Sequence, residues 1–104
     1  MRRSSRRFAI AFLACVLIVG ICHHHRNAPG KVEVDYHVIR YTEPAGQIEL
    51  DWEYSPDEPP VAYVPSARRW RATMPDWARD RRDEIFPFIQ RETRHMNFVW
   101  EEYD

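Results

Sequence analysis

The sequence predicts an α+β fold: an N-terminal transmembrane signal-anchor helix followed by a small antiparallel sheet with one helix packed on a face. Three observations carry this. Phe8 to Cys22 is an uncharged apolar run set between arginines and histidines; two stretches alternate apolar and polar residues on either side of Glu43-Pro44-Ala45-Gly46; and one stripe of helical period follows Thr73.

The apolar run reads FAIAFLACVLIVGIC, with Arg2, Arg3, Arg6 and Arg7 before it and His23, His24, His25 and Arg26 after it. A helix of this length spans about 22 Å at 1.5 Å per residue, short of a hydrocarbon core of about 30 Å. Arg7 snorkelling to the headgroups and neutral histidines at the interface make up the difference, with local thinning of the bilayer. The basic flank is N-terminal, so the positive-inside rule keeps residues 1–7 in the cytoplasm and sends the chain after residue 22 across. Expected, then, are a basic cytoplasmic cap at 1–7, a hydrophobic signal-anchor segment at 8–22, a linker at 23–30 and an extracytoplasmic domain at 31–104. The localisation is a single-pass membrane protein in contact with lipid through residues 8–22. Two alternatives are a secreted domain after cleavage and a lipoprotein acylated at Cys22; bulky Ile21 fits poorly the small residue that either processing event needs before its cut.

From Lys31 to Thr42 the apolar residues Val32, Val34, Tyr36 and Val38 alternate with Glu33, Asp35 and His37, and from Gln47 to Tyr54 the row is Ile48, Leu50, Trp52 and Tyr54. Both read as half-buried strands of a hairpin closed by the turn residues Glu43 to Gly46. Only pairings whose residue numbers sum to an even value put both apolar rows on one face, and sums of 88 or 90 suit the loop. Val61 to Val64, enclosed by Pro60 and Pro65, reads as a strand at the sheet margin. Ser66 is placed to cap a short turn through Trp70. Thr73-Met74-Pro75-Asp76 opens the main helix, whose stripe of Met74, Trp77, Ala78, Ile85, Phe88 and Ile89 faces the sheet. Pro87 predicts a kink or an early stop, and Asn97 to Tyr103 returns to strand composition.

Composition narrows the function classes. Without the four N-terminal arginines, eleven basic side chains face sixteen acidic ones, a balance that repels phosphate backbones and predicts no nucleic-acid partner. Twelve of the fourteen aromatic residues follow Gly30, enough to build a core in a small domain. Cys15 and Cys22 both belong to the apolar segment, so the domain holds no internal disulfide and no cysteine nucleophile. Three glycines in the whole chain leave no phosphate-cradling loop, and no cofactor is implied.

Three constellations bear chemistry. Under either even register His37 faces a carboxylate, Asp51 or Glu53, on a polar face that also carries Glu33, Asp35 and Glu49; crowded acids beside an imidazole favour a divalent metal or a general base, while the plain alternative is a solvated sheet face. His23, His24 and His25 beside Cys22 offer soft and borderline metal ligands without fixed geometry. Arg81 projects into the apolar stripe between Trp77 and Ile85. Its stem then packs while its guanidinium stacks on Trp77 or pairs with a sheet carboxylate; the alternative is that it holds an anionic ligand or partner. Ser66, His95 and an acid have no spacing that supports a catalytic triad. The expected role is therefore non-enzymatic, an interaction or accessory module with a protein partner. A metal-binding protein using His37 with its carboxylates or His23 to His25 is the second reading, and a small hydrolase the third.

Overall fold

The computed structural model describes residues 29–104. The expected basic cap and signal-anchor segment, both cysteines and His23, His24 and His25 lie outside the described residues. Among the described residues no helix is long and apolar enough to cross a membrane.

The described chain runs β1 (Lys31–Asp35), β2 (Val38–Glu43), β3 (Gly46–Ser55), β4 (Glu58–Pro65), α1 (Ala67–Thr73), α2 (Arg82–Glu92), a 3₁₀ turn (Arg94–Met96) and β5 (Val99–Tyr103). The five strands form one sheet in the order β1-β2-β3-β4-β5. The first three pairings are antiparallel and β4–β5 is parallel, because the two helices carry the chain back across one face before β5 begins. The fold is α+β as predicted, but the sheet is mixed and carries two helices, where the sequence reading has an antiparallel sheet and one helix.

The expected strand from Lys31 to Thr42 is broken at Tyr36-His37. His37 adopts φ 61°, a left-handed conformation that histidine enters more readily than most residues, and the chain reverses there. The reversal shifts the phase of β2. Ile39 and Tyr41, not Tyr36 and Val38, enter the core, opposite Leu50 and Ile48 in a register whose numbers sum to 89. The even sums fail because they assume one uninterrupted strand. In β1 and β3 the predicted faces hold: Val32, Val34, Ile48, Leu50 and Trp52 turn towards the core side, and the odd-numbered acids turn away from it.

β4 lies inside the sheet rather than at its margin. Its prolines fall where ladder donors are dispensable, Pro59 and Pro60 next to the irregularity between Glu53 and Ser55 and Pro65 at the strand's end. Ser66 caps α1 as expected, accepting from the Arg69 amide at 3.1 Å. Thr73 does not open the next helix; its hydroxyl donates back to the Arg69 carbonyl at 2.8 Å, and the chain passes through turns over Met74 to Arg81 before α2 starts at Arg82. Pro87 sits inside α2, which continues to Glu92 without the early stop.

The predicted stripe nonetheless meets the sheet. Ala78, Ile85 and Ile89 are buried with Ile39, Tyr41, Ile48, Leu50, Ala62, Val64 and Trp70, and Met74, Trp77 and Phe88 pack against them. Burial selects these residues whether the segment is one helix or a turn followed by a helix. Trp70 anchors the join, fully buried and donating its indole N–H to the Ala78 carbonyl at 2.8 Å. At the hairpin tip Trp77 lies so close to Gly46 that a Cβ there would stand 2.6 Å from its indole nitrogen. Trp100, Phe98 and Phe86 continue the apolar layer under β5, with centroids 5.1–5.6 Å apart.

Candidate functional site

Both helices and the intervening turns cover one face of the sheet, and among the described residues nothing covers the other. Strand alternation places Glu33 and Asp35 of β1, Glu49, Asp51 and Glu53 of β3 and Glu101 of β5 on that open face, against Lys31 and Arg40. Val99 and Tyr103 of β5 share it, each 44 % exposed. The acidic face expected from β1 and β3 is therefore present, and it extends onto β5.

Its charge is unevenly balanced. Arg40, in the middle strand of the β1–β3 half, reaches Glu49 at 3.1 Å, Glu33 at 3.8 Å and Asp35 at 3.9 Å. Among the described residues Asp51, Glu53, Glu58 and Glu101 form no ion pair. Negative charge without a counter-charge thus collects on β3, β4 and β5, where Tyr63 donates its hydroxyl to Glu53 Oε1 at 3.1 Å. That bond, then burial and the nearby Glu53 and Glu101 charges, holds the Tyr63 phenol above its ordinary value.

His37 does not join this face. At the end of the β2 ladder it stands opposite Trp52, between the two carboxylates the even registers would have given it, and its carbonyl accepts from the Trp52 amide at 3.3 Å. Its Nδ1 lies 3.0 Å from the Trp52 carbonyl, which can only accept, so Nδ1 carries the proton and donates. Tyr36 stacks edge-on against the ring at 4.0 Å, and the Trp52 indole donates to the Asp35 carbonyl at 2.8 Å. His37 is thereby tied to a turn while Asp51 and Glu53 project from the open face. Among the described residues no three of His, Cys, Asp and Glu converge as a metal site.

Arg81 belongs to a different cluster, beneath the Glu43–Gly46 hairpin turn. Its guanidinium donates from Nη1 and Nη2 to Glu43 at 3.0 and 2.9 Å and from Nε and Nη2 to Glu84 at 3.0 and 2.9 Å, and it lies 5.8 Å from the centre of the Trp77 ring. Both forms of the packing reading hold together: the arginine stacks on Trp77 and pairs with a sheet carboxylate. Four of its five donors are engaged within the chain, which leaves little for an anionic ligand. Tyr41 completes the network, donating its hydroxyl to Glu43 at 2.7 Å. Burial raises the Glu43 carboxyl, but hydrogen bonds from Arg81 and Tyr41 and the charge of Arg81 outweigh it and hold the group below its ordinary value. Burial first, then donation to Glu43, pushes the Tyr41 phenol well above its ordinary value. The cluster clamps the hairpin tip to the start of α2.

Sequence reasoning missed three features. Glu43 reads as a turn residue, yet its side chain is the nearly buried partner of Arg81. Arg40 is the hub of the acidic face; the signal was a lone base in a segment of alternating acids. Tyr36 and Tyr54 read as core aromatics and are 81 % and 63 % exposed. Tyr54 with Glu53, Glu58, Pro59 and Tyr63 borders a shallow depression of about 190 Å³. Another, of about 140 Å³, lies among Arg71, Arg79, Asp80 and Arg82. Both fall below the ~300–1,000 Å³ of ordinary small-molecule pockets. No protein-family model, no curated protein and no solved structure matches the chain.

Proposed function

We propose that this chain is a single-pass membrane-anchored protein whose outward-facing domain is an interaction module, binding another protein through the open face of its sheet. One observation carries the reading: among the described residues the helices seal only one side of a five-stranded sheet, and the other side displays carboxylates without an ion pair beside exposed Val99 and Tyr103. A flat surface that mixes uncompensated charge with aromatic and β-branched side chains suits a protein partner better than a metabolite, which needs concavity. The basic flank before the apolar run supports the outward orientation, and a protein held beside a bilayer meets its partners there at high local concentration.

Site-specific photo-crosslinking in intact membranes tests this. A photoreactive side chain at Asp51, on the open face, is expected to form a discrete adduct with another protein, whereas one at Arg91, on the helix side, is not. Adducts at both positions alike, or at neither, would overturn the assignment.

A further inference from the structure

We infer that the end of the sheet farthest from Gly30 docks a cationic segment of the protein partner, with one arginine or lysine side chain seated in the depression beside Tyr63, Glu53 and Glu58. The inference deepens the function proposed above and rests on it for the partner being a protein.

The strand pairing fixes which end this is. Lys31 lies opposite Thr42 and Glu43 opposite Gly46, so the chain enters the sheet at the hairpin tip that Trp77 and Arg81 clamp. The C-terminal end of β5, with Tyr103 beside Pro65, points the same way. The Tyr36-His37 turn and the turn between Ser55 and Glu58 lie at the other end, separated from the first by the ten residues of β3, about 30 Å at ~3.3 Å per residue. The two most exposed large hydrophobic side chains, Tyr36 and Tyr54, both lie at this far end. A tether through residue 30 therefore presents them away from the bilayer.

The chemistry of that end selects a cation. The depression is lined by Glu53, Glu58 and Tyr63 together with Tyr54, Ser55, Pro59 and Val61, and among the described residues no basic side chain lines it. Arg40 spends its charge on Glu33, Asp35 and Glu49 of the other half of the face. The Tyr63 hydroxyl engages Glu53 Oε1, which holds that carboxylate in place while Oε2 remains open to a second donor. Tyrosine faces attract guanidinium and ammonium groups, and a carboxylate beside them adds a charge-assisted hydrogen bond. A depression of about 190 Å³ takes the head of one long side chain and little more. An acidic segment or a phosphate would meet repulsion from Glu53 and Glu58.

The full chain in detergent micelles, ¹⁵N-labelled and at low ionic strength, is titrated with the peptide acetyl-Gly-Arg-Gly-Arg-Gly-amide and with its glutamate counterpart. The arginine peptide is expected to give saturable shifts centred on Glu53, Tyr54, Glu58 and Tyr63, and the glutamate peptide none. Glu58→Gln and Glu53→Gln, both at exposed positions, should each weaken the interaction about threefold or more, the scale of one surface ion pair. Shifts spread equally over Glu33, Asp35 and Glu49, or an affinity unchanged in both variants, would overturn the seat. If Asp51 crosslinks while the peptide avoids the depression, the seat is wrong and the open-face reading stands; if Asp51 fails to crosslink, that reading itself has failed.

Discussion

Replacing Arg81 with methionine tests the clamp between the hairpin and α2. The Glu43 side chain is 5 % exposed and that of Arg81 26 %, and among the described residues Arg81 supplies every nitrogen donor within hydrogen-bond reach of the Glu43 carboxylate. In the variant a nearly buried charge keeps only the Tyr41 hydroxyl as a donor. Removing one partner of a buried ion pair costs about 3–5 kcal/mol, and the partial exposure of Arg81 argues for the lower end, about 3 kcal/mol. In a domain of this size that lowers the unfolding midpoint by about 12–24 °C. Adding Glu43→Gln and Glu84→Gln to Arg81→Met removes the orphaned charges and should recover part of the loss, which separates electrostatics from lost packing on Trp77. Urea and thermal unfolding of the full chain in micelles, followed by tryptophan fluorescence, provide the assay. A cost below about 1 kcal/mol for Arg81→Met, the value of an ordinary surface pair, would refute the reasoning.

The depressed Glu43 carboxyl makes a signed prediction for pH. The group contributes stability above its unfolded value near 4.5 and loses it as pH falls through the lower folded value. The urea midpoint should therefore drop below about pH 4.5, and Glu43→Gln should flatten that part of the profile; an unchanged slope contradicts the network. Tyr41→Phe removes the donor to Glu43 and should cost about 1.5–3 kcal/mol by urea unfolding, since the acceptor is charged. Gly46→Ala would set a Cβ 2.6 Å from the Trp77 indole nitrogen, so Trp77 must move; a cost of about 1–3 kcal/mol and a shifted tryptophan emission are expected. His37→Val forces a β-branched residue into a left-handed turn and should cost about 1–2 kcal/mol, whereas His37→Gly should be close to neutral apart from the hydrogen bond to Trp52.

Much of the fold was legible because burial is written at period two and period 3.6. Ile48, Leu50 and Trp52 face the helices as their alternation requires, and Ala78, Ile85 and Ile89 meet the sheet although the first lies in a turn and the others on a helix. The reversal at Tyr36-His37 was illegible because neither residue is Gly, Pro, Asn or Asp, and a left-handed histidine leaves no mark in composition. That single turn shifts the register by one and detaches His37 from Asp51 and Glu53. The parallel strand β5 was legible as a strand but not in its partner, since pairing across two helices is a long-range choice that no local pattern encodes. The acidic face survived the register error because β1 and β3 keep their phase on either side of the broken segment. Arg81 could be read from its helical direction as an arginine that must pair, but its partner Glu43 could not, because a turn glutamate looks the same whether it is buried or solvated.

The presentation of the open face and its tyrosines depends on the domain being held at its Gly30 end by a retained anchor. Intact-mass measurement of the protein recovered from the membrane fraction of expressing cells tests this most directly. The full-length chain of 12.5 kDa is expected in that fraction. A shortened chain, whether released as a soluble domain or beginning at an acylated Cys22, would contradict it.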